Sequence, residues 1–207
     1  MRHTSSIACI LLVLASTLAI AQDNAQEDRT CDAIEFLVII GETTIEMMPN
    51  GVTAGDRIVV MPNGRFHLER RFQRLPTPSA TLTIFESFLN QEQLRKLQTI
   101  LDSAEVKTLP SYTLPAFPLN GPWFGAFDVR VTRDTEIQHV GFLVWQGGSK
   151  ETSPNSMPEE VKKAWRDSQI TLRPLVHWFH EIEALKLEPS RDAKSLSLCI
   201  DNDKKDK

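Results

Sequence analysis

The chain has 207 residues, of which 41% are hydrophobic, 24% charged and 7% aromatic, and its formal net charge is −4. That balance excludes a collagen-like or disordered chain and a multi-span membrane protein, and the acidic sign leaves no basic footprint for nucleic acid. A chain this long buries about 70% of its unfolded surface, enough for one hydrophobic core without metal staples.

Met1, Arg2 and His3 give a short positive start, and Ile7 to Ile20 is an uncharged, mostly apolar run. Ala19 and Ala21 supply the small residues that a signal peptidase reads, so residues 1–21 are expected to be a cleaved signal peptide. The apolar run is shorter than the about 20 residues a membrane-spanning helix needs. The mature product is therefore expected to be secreted or periplasmic, with no stable membrane insertion. Cys9 leaves with the signal, and Cys31 and Cys199 remain. In an oxidising compartment these two are expected to form a disulfide that closes nearly the whole mature chain, an upper figure of roughly 5 kcal/mol in the chain-entropy model. The acids Asp32 and Asp201 beside them are the wrong sign for a catalytic thiolate.

Residues 22–32 read as a polar, disordered lead, 33–200 as a single domain and 201–207 as a charged tail. Ala33 to Ile40 is rich in β-branched residues and reads as a buried strand. The tetrapeptide Met-Pro-Asn-Gly occurs at Met48–Gly51 and again at Met61–Gly64. Proline presets φ in such a turn and glycine follows at no steric cost, so the second copy predicts a hairpin between Arg57–Val60 and Arg65–Phe72. Ala80–Leu89 reads as a further strand. Asn90 with Gln93 forms a capping box that opens a helix, with Glu92 and Lys96 as an i,i+4 ion pair. Leu94, Leu97, Ile100 and Leu101 are its apolar stripe, and the helix is expected to fade near Ser103 into an extended piece at Glu105–Leu109.

Pro110 to Pro122 is proline-rich and excludes a regular helix or a central strand. Phe124–Thr132 and Glu136–Gln146 then read as a hairpin with Val131 opposite Ile137. That register sets His139 on an apolar face beside Val129, sends Asp128 to the other face, and makes the second strand central because it is apolar on both sides. Beyond a polar loop, Ser156 and Pro158 start a C-terminal helical region that Asp167–Ser168 interrupts, and Pro174 breaks or kinks it or else begins a second helix. Leu175, Trp178, Ile182 and Leu185 share its buried side. Strands followed by a helix, a hairpin and more helices define an α+β class: a mainly antiparallel sheet packed against one central helix and a C-terminal helical region.

Catalytic signals are sparse. There is no Gly-x-Ser-x-Gly elbow and no phosphate-cradling loop, so no catalytic residue and no cofactor is assigned. His177, His180 and Glu181 share a polar helix face with Arg173 and form the alternative, a metal site of a hydrolase or other metal-dependent enzyme. They lack the His-Glu-x-x-His order of zinc hydrolases, and a solvated helix face is the reading that accounts for them best. A structural envelope protein with no discrete ligand is a third reading. The leading one is a non-catalytic domain that binds a protein partner, such as a protease, or an envelope component. Its anchors are Tyr112, Phe117, Trp123 and Phe124, aromatic residues on or beside the stiff proline-rich segment, and the competing reading is that residues 110–124 drape across the sheet and close the core.

Four motifs order the region 88–186. They are the helix pattern Leu89 to Leu97, then Val106-Lys107-Thr108-Leu109-Pro110, and then Phe127-Asp128-Val129-Arg130-Val131 leading through a hairpin to Leu172-Arg173-Pro174-Leu175-Val176. In that order the region resembles emfourin-like proteins, small bacterial inhibitors of thermolysin-type metalloproteases. The resemblance implies a compact α+β inhibitor or binding module and transfers no inhibitory residue.

Overall fold

Four antiparallel strands, two helical segments, a hairpin and a long helix follow one another along the chain. The computed structural model describes residues 35–46, 51–74, 79–111, 123–146 and 159–196. The strands are β1 (Val38–Glu46), β2 (Val52–Val60), β3 (Arg65–Arg74), β4 (Thr81–Phe88), β5 (Trp123–Arg133) and β6 (Glu136–Gln146). The helices are α1 (Gln91–Leu101), α2 (Ala104–Lys107) and α3 (Glu159–Glu183). The six strands make one antiparallel sheet in the order β4-β3-β2-β1-β5-β6, so the fold is α+β. These elements belong to one unit, Glu35–Lys194. The expected signal segment, Cys31, Cys199, Tyr112, Phe117 and the first Met-Pro-Asn turn residues lie outside the described residues.

The β2–β3 hairpin turns where the second Met-Pro-Asn-Gly stands. Met61 N–H donates to Arg65 O at 2.8 Å and Gly64 N–H to Met61 O at 2.9 Å. Gly64 sits at φ 82°, a backbone angle that only glycine adopts without strain. β1 starts later than the apolar run suggests and continues through Gly41–Glu46, where β-branched threonines sustain the strand although its polarity rises.

One face of the sheet carries the core. Val38, Ile40, Ile58, Val60, Phe66, Leu68, Phe127, Val129, Val131, Val140 and Phe142 pack there against Leu97 and Leu101 of α1, Val106 of α2, and Leu172, Leu175, Trp178, Phe179 and Ile182 of α3. Three helical segments therefore share the work expected of one central helix. α1 has the expected cap, with Gln93 N–H donating to Asn90 Oδ1 at 2.8 Å and Asn90 N–H to Gln93 Oε1 at 2.9 Å.

Four expectations are corrected. Residues 104–107 are helical and not extended, because the Ser103 hydroxyl accepts from Val106 N–H and caps a new turn. Lys96 reaches across to Glu181 of α3 at 2.6 Å, so the pair within α1 gives way to one between helices. The β5–β6 hairpin closes through a two-residue turn with Asp134 at φ 48°, which puts Thr132, not Val131, opposite Ile137. A slip of one residue moves every β6 side chain to the other face. His139 thus joins Asp128 and Arg130 on the face away from the helices, and β6 is an edge strand.

The fourth correction is α3, an unbroken 25-residue helix through Asp167, Ser168 and Pro174. Pro174 is exposed and Ile170, four residues earlier, is 64% exposed, so water can serve the carbonyl that proline leaves without a partner. The helix ends at Glu183, and Leu185 beyond it is exposed instead of completing the buried stripe.

Candidate functional site

The register of the sheet sets a row of directly opposed residues on the helix-facing side: Phe142, Phe127, Glu42, Asp56, Arg70 and Thr83. Toward the core the same parity carries Ile40, Ile58 and Leu68, so the row marks where the buried face turns from apolar to charged. Its β5–β6 half is aromatic. Phe127 stacks on Phe142 with centroids 5.4 Å apart and meets the edge of Phe179 of α3 at 5.8 Å.

The charged half lies beneath the last turn of α3. His180 Nε2 is 2.8 Å from Glu42 Oε2 and 3.9 Å from Glu183 Oε2. Ligand atoms of Glu42, His180 and Glu183 all lie within 4.8 Å of one another. Arg70 is braced from three sides: its Nε is 3.2 Å from Asp56 Oδ2, its guanidinium lies 5.2 Å above the Phe85 ring, and its Nη2 donates to the backbone carbonyl of Glu183. That last bond satisfies one of the carbonyls a helix C-terminus leaves open. Burial pushes the Glu183 carboxyl up to about 8, helped by its hydrogen bond with Asp56 and by the charges of Asp56 and Glu42, while Arg70 acts the other way.

Beside this cluster a cavity of about 280 Å³ opens between α3 and the β1–β5–β6 side of the sheet. Phe127, Phe142 and Val176 line it with apolar surface, Gly125 and Ala126 keep one wall low, and Glu42, Thr44, Gln169 and Arg173 contribute polar groups. Gln169, Arg173, Val176, His180 and Glu183 follow one another at helical spacing, so one flank of α3 serves both cavity and cluster.

The residues singled out from the sequence are distributed differently. His180 and Arg173 lie on the flank that faces the cluster and the cavity. His177 and Glu181 lie on the other flank, where His177 Nε2 is 3.1 Å from Glu181 Oε1 and Glu181 also accepts from Lys96 of α1. The lysine's hydrogen bond holds the Glu181 carboxyl below its usual range. Trp123 and Phe124 open β5, opposite Glu46 and Ile45 of β1, and lead directly into Gly125 and Ala126 of the cavity wall.

The opposite face of the sheet holds a second polar group. His67 and Glu69 are almost wholly buried, 1% and 3% exposed, with His67 Nε2 3.1 Å from Glu69 Oε1 and His67 Nδ1 3.4 Å from Glu86 Oε1. Glu86 also accepts from Arg65 at 2.9 Å, and these two partners outweigh partial burial to lower its carboxyl. His67 is thus a satisfied core histidine. His139 is partnered by the Asp128 carboxylate next to Arg130 on the same face.

Sequence reasoning missed Glu42, Asp56 and Glu183. A usable signal was present, because charged residues that continue the parity of Ile40, Ile58 and Leu68 stand on a buried face where charge is costly unless it has a task. No protein-family model and no curated protein matches this chain. Among the described residues no helix is long and apolar enough to cross a membrane.

Proposed function

We propose that the protein is an exported, non-catalytic binding domain that recognises a protein or envelope component in the groove between α3 and the β1–β5–β6 side of the sheet. The observation that carries this reading is the cavity of about 280 Å³, whose apolar lining of Phe127, Phe142 and Val176 is combined with Glu42, Gln169 and Arg173. Apolar surface with a few convergent polar groups is the composition of recognition sites, the first supplying affinity and the second orientation. Export rests on the apolar run after Arg2, and the Cys31–Cys199 disulfide belongs to the same reading. Of the aromatic anchors expected from the sequence, Trp123 and Phe124 directly precede the cavity residue Gly125 in the chain, while Tyr112 and Phe117 lie outside the described residues. The emfourin-like order of motifs makes a thermolysin-type metalloprotease the first partner to try.

The test is a groove-filling substitution. Val176→Trp places a large side chain in the cavity while leaving the buried stripe of α3 intact. Wild type is expected to retain a partner from the native exported fraction, or to inhibit a thermolysin-type protease, and Val176→Trp to lose that by tenfold or more. Equal recovery and equal inhibition by both proteins contradict the groove.

A further inference from the structure

We propose that Glu42, His180 and Glu183 form a binding site for a divalent transition-metal ion of the zinc class. An imidazole nitrogen and two carboxylates are an accepted donor set for such an ion, and three protein ligands leave a position open to water or to a group from a partner. The donors come from β1 and from the last turn of α3, 138 residues apart between Glu42 and His180, so the core that docks α3 on the sheet also assembles the site.

Three observations support a cation here beyond the convergence itself. First, Glu42 stands directly opposite Asp56, a like-charge cross-strand pair that costs stability in an antiparallel ladder. Arg70 answers Asp56, on the side of the cluster away from Glu42. Second, the ligands have a supporting layer: Arg70 pairs with Asp56, which stands opposite Glu42, and donates to the backbone carbonyl of Glu183. Outer groups of this kind orient metal ligands and set their affinity. Third, the site is reachable, with the His180 and Glu42 side chains 50% and 40% exposed. The inference does not depend on the groove, although Glu42 belongs to both.

Zinc titrated into the metal-free, tag-free full chain by calorimetry is expected to bind at one site per chain, with manganese weaker and calcium weaker again. His180→Ala at an exposed position and Glu42→Gln at a partly exposed one are each expected to weaken zinc at least tenfold. His177→Ala on the far flank of α3, and Val176→Trp in the groove, are expected to leave it unchanged. Cobalt in place of zinc is expected to give weak visible bands without the thiolate-to-metal charge-transfer absorption that cysteine ligands produce. Absence of zinc binding by wild type overturns the proposal. So does binding that survives both His180→Ala and Glu42→Gln, binding that His177→Ala abolishes, or a cobalt spectrum with thiolate character. Loss of partner recognition in Val176→Trp with zinc affinity intact separates this site from the groove.

Discussion

Glu42 stands directly opposite Asp56 in the β1–β2 ladder, and the Glu183 carboxyl comes down from α3 onto the same patch. Burial, the hydrogen bond with Asp56 and two neighbouring negative charges lift the Glu183 carboxyl from an ordinary 4.5 to about 8. The folded chain therefore holds this proton more tightly than the unfolded chain does. Its contribution to stability is fully present below about 4.5 and is lost as pH rises toward 8. Urea unfolding of wild type and Glu183→Gln across this window is expected to show similar stabilities at the acid end, with the variant ahead at pH 8. Parallel pH curves for the two proteins contradict the raised Glu183 carboxyl.

Trp178 anchors α3 to α1. It is wholly buried, and its Nε1–H donates to the Gln93 carbonyl at 3.1 Å. Trp178→Ala leaves a cavity beneath both helices and is expected to cost about 3–5 kcal/mol. Trp178→Phe keeps most of the packing but loses the hydrogen bond, for about 1–2 kcal/mol. Denaturant unfolding with an unchanged slope measures both.

His67 and Glu69 depend on each other on the far face of the sheet. Removing either takes a buried hydrogen-bond partner from the other, so His67→Ala and Glu69→Ala are each expected to cost about 1–3 kcal/mol. The double variant is expected to lose clearly less than the sum, which a double-mutant cycle reads as coupling. Strict additivity contradicts the pairing.

Pro174 supplies an opposite case. It sits inside α3, where proline is unfavourable by about 3 kcal/mol relative to alanine. Because the position is exposed, Pro174→Ala gives Ile170 its hydrogen bond back without disturbing the core, and the variant is expected to melt several degrees above wild type. An unchanged or lower melting temperature means that proline serves the helix in some other way.

The parts of the fold legible in the sequence are those governed by local chemistry. Asn90 and Gln93 announce a helix start, and Met61–Gly64 announces a turn, because the reasons lie within four residues. The β5–β6 register was not legible. β6 is apolar on both faces, so sliding it by one residue preserves a plausible pattern, and only the two-residue turn at Asp134–Thr135 decides. His139 changed face with that slip and acquired Asp128 as its partner. α3 passes Pro174 because tertiary packing of Leu172, Leu175, Trp178, Phe179 and Ile182 outweighs one missing hydrogen bond. The candidate site lay further out of reach. His180 was visible as a residue and Glu183 stands one helical turn beyond it, but their neighbour Glu42 depends on how a strand register meets the end of a helix, and no spacing within one segment encodes that.

The groove is tested most directly by amide hydrogen exchange on the full chain, alone and bound to a partner that it retains from the exported fraction or to a protease that it inhibits. Slowed exchange is expected at residues 42–44, 125–127 and 169–176, the strand and helix segments that border the cavity. Protection confined to other parts of the chain, with these three segments unchanged, contradicts the groove as the recognition surface.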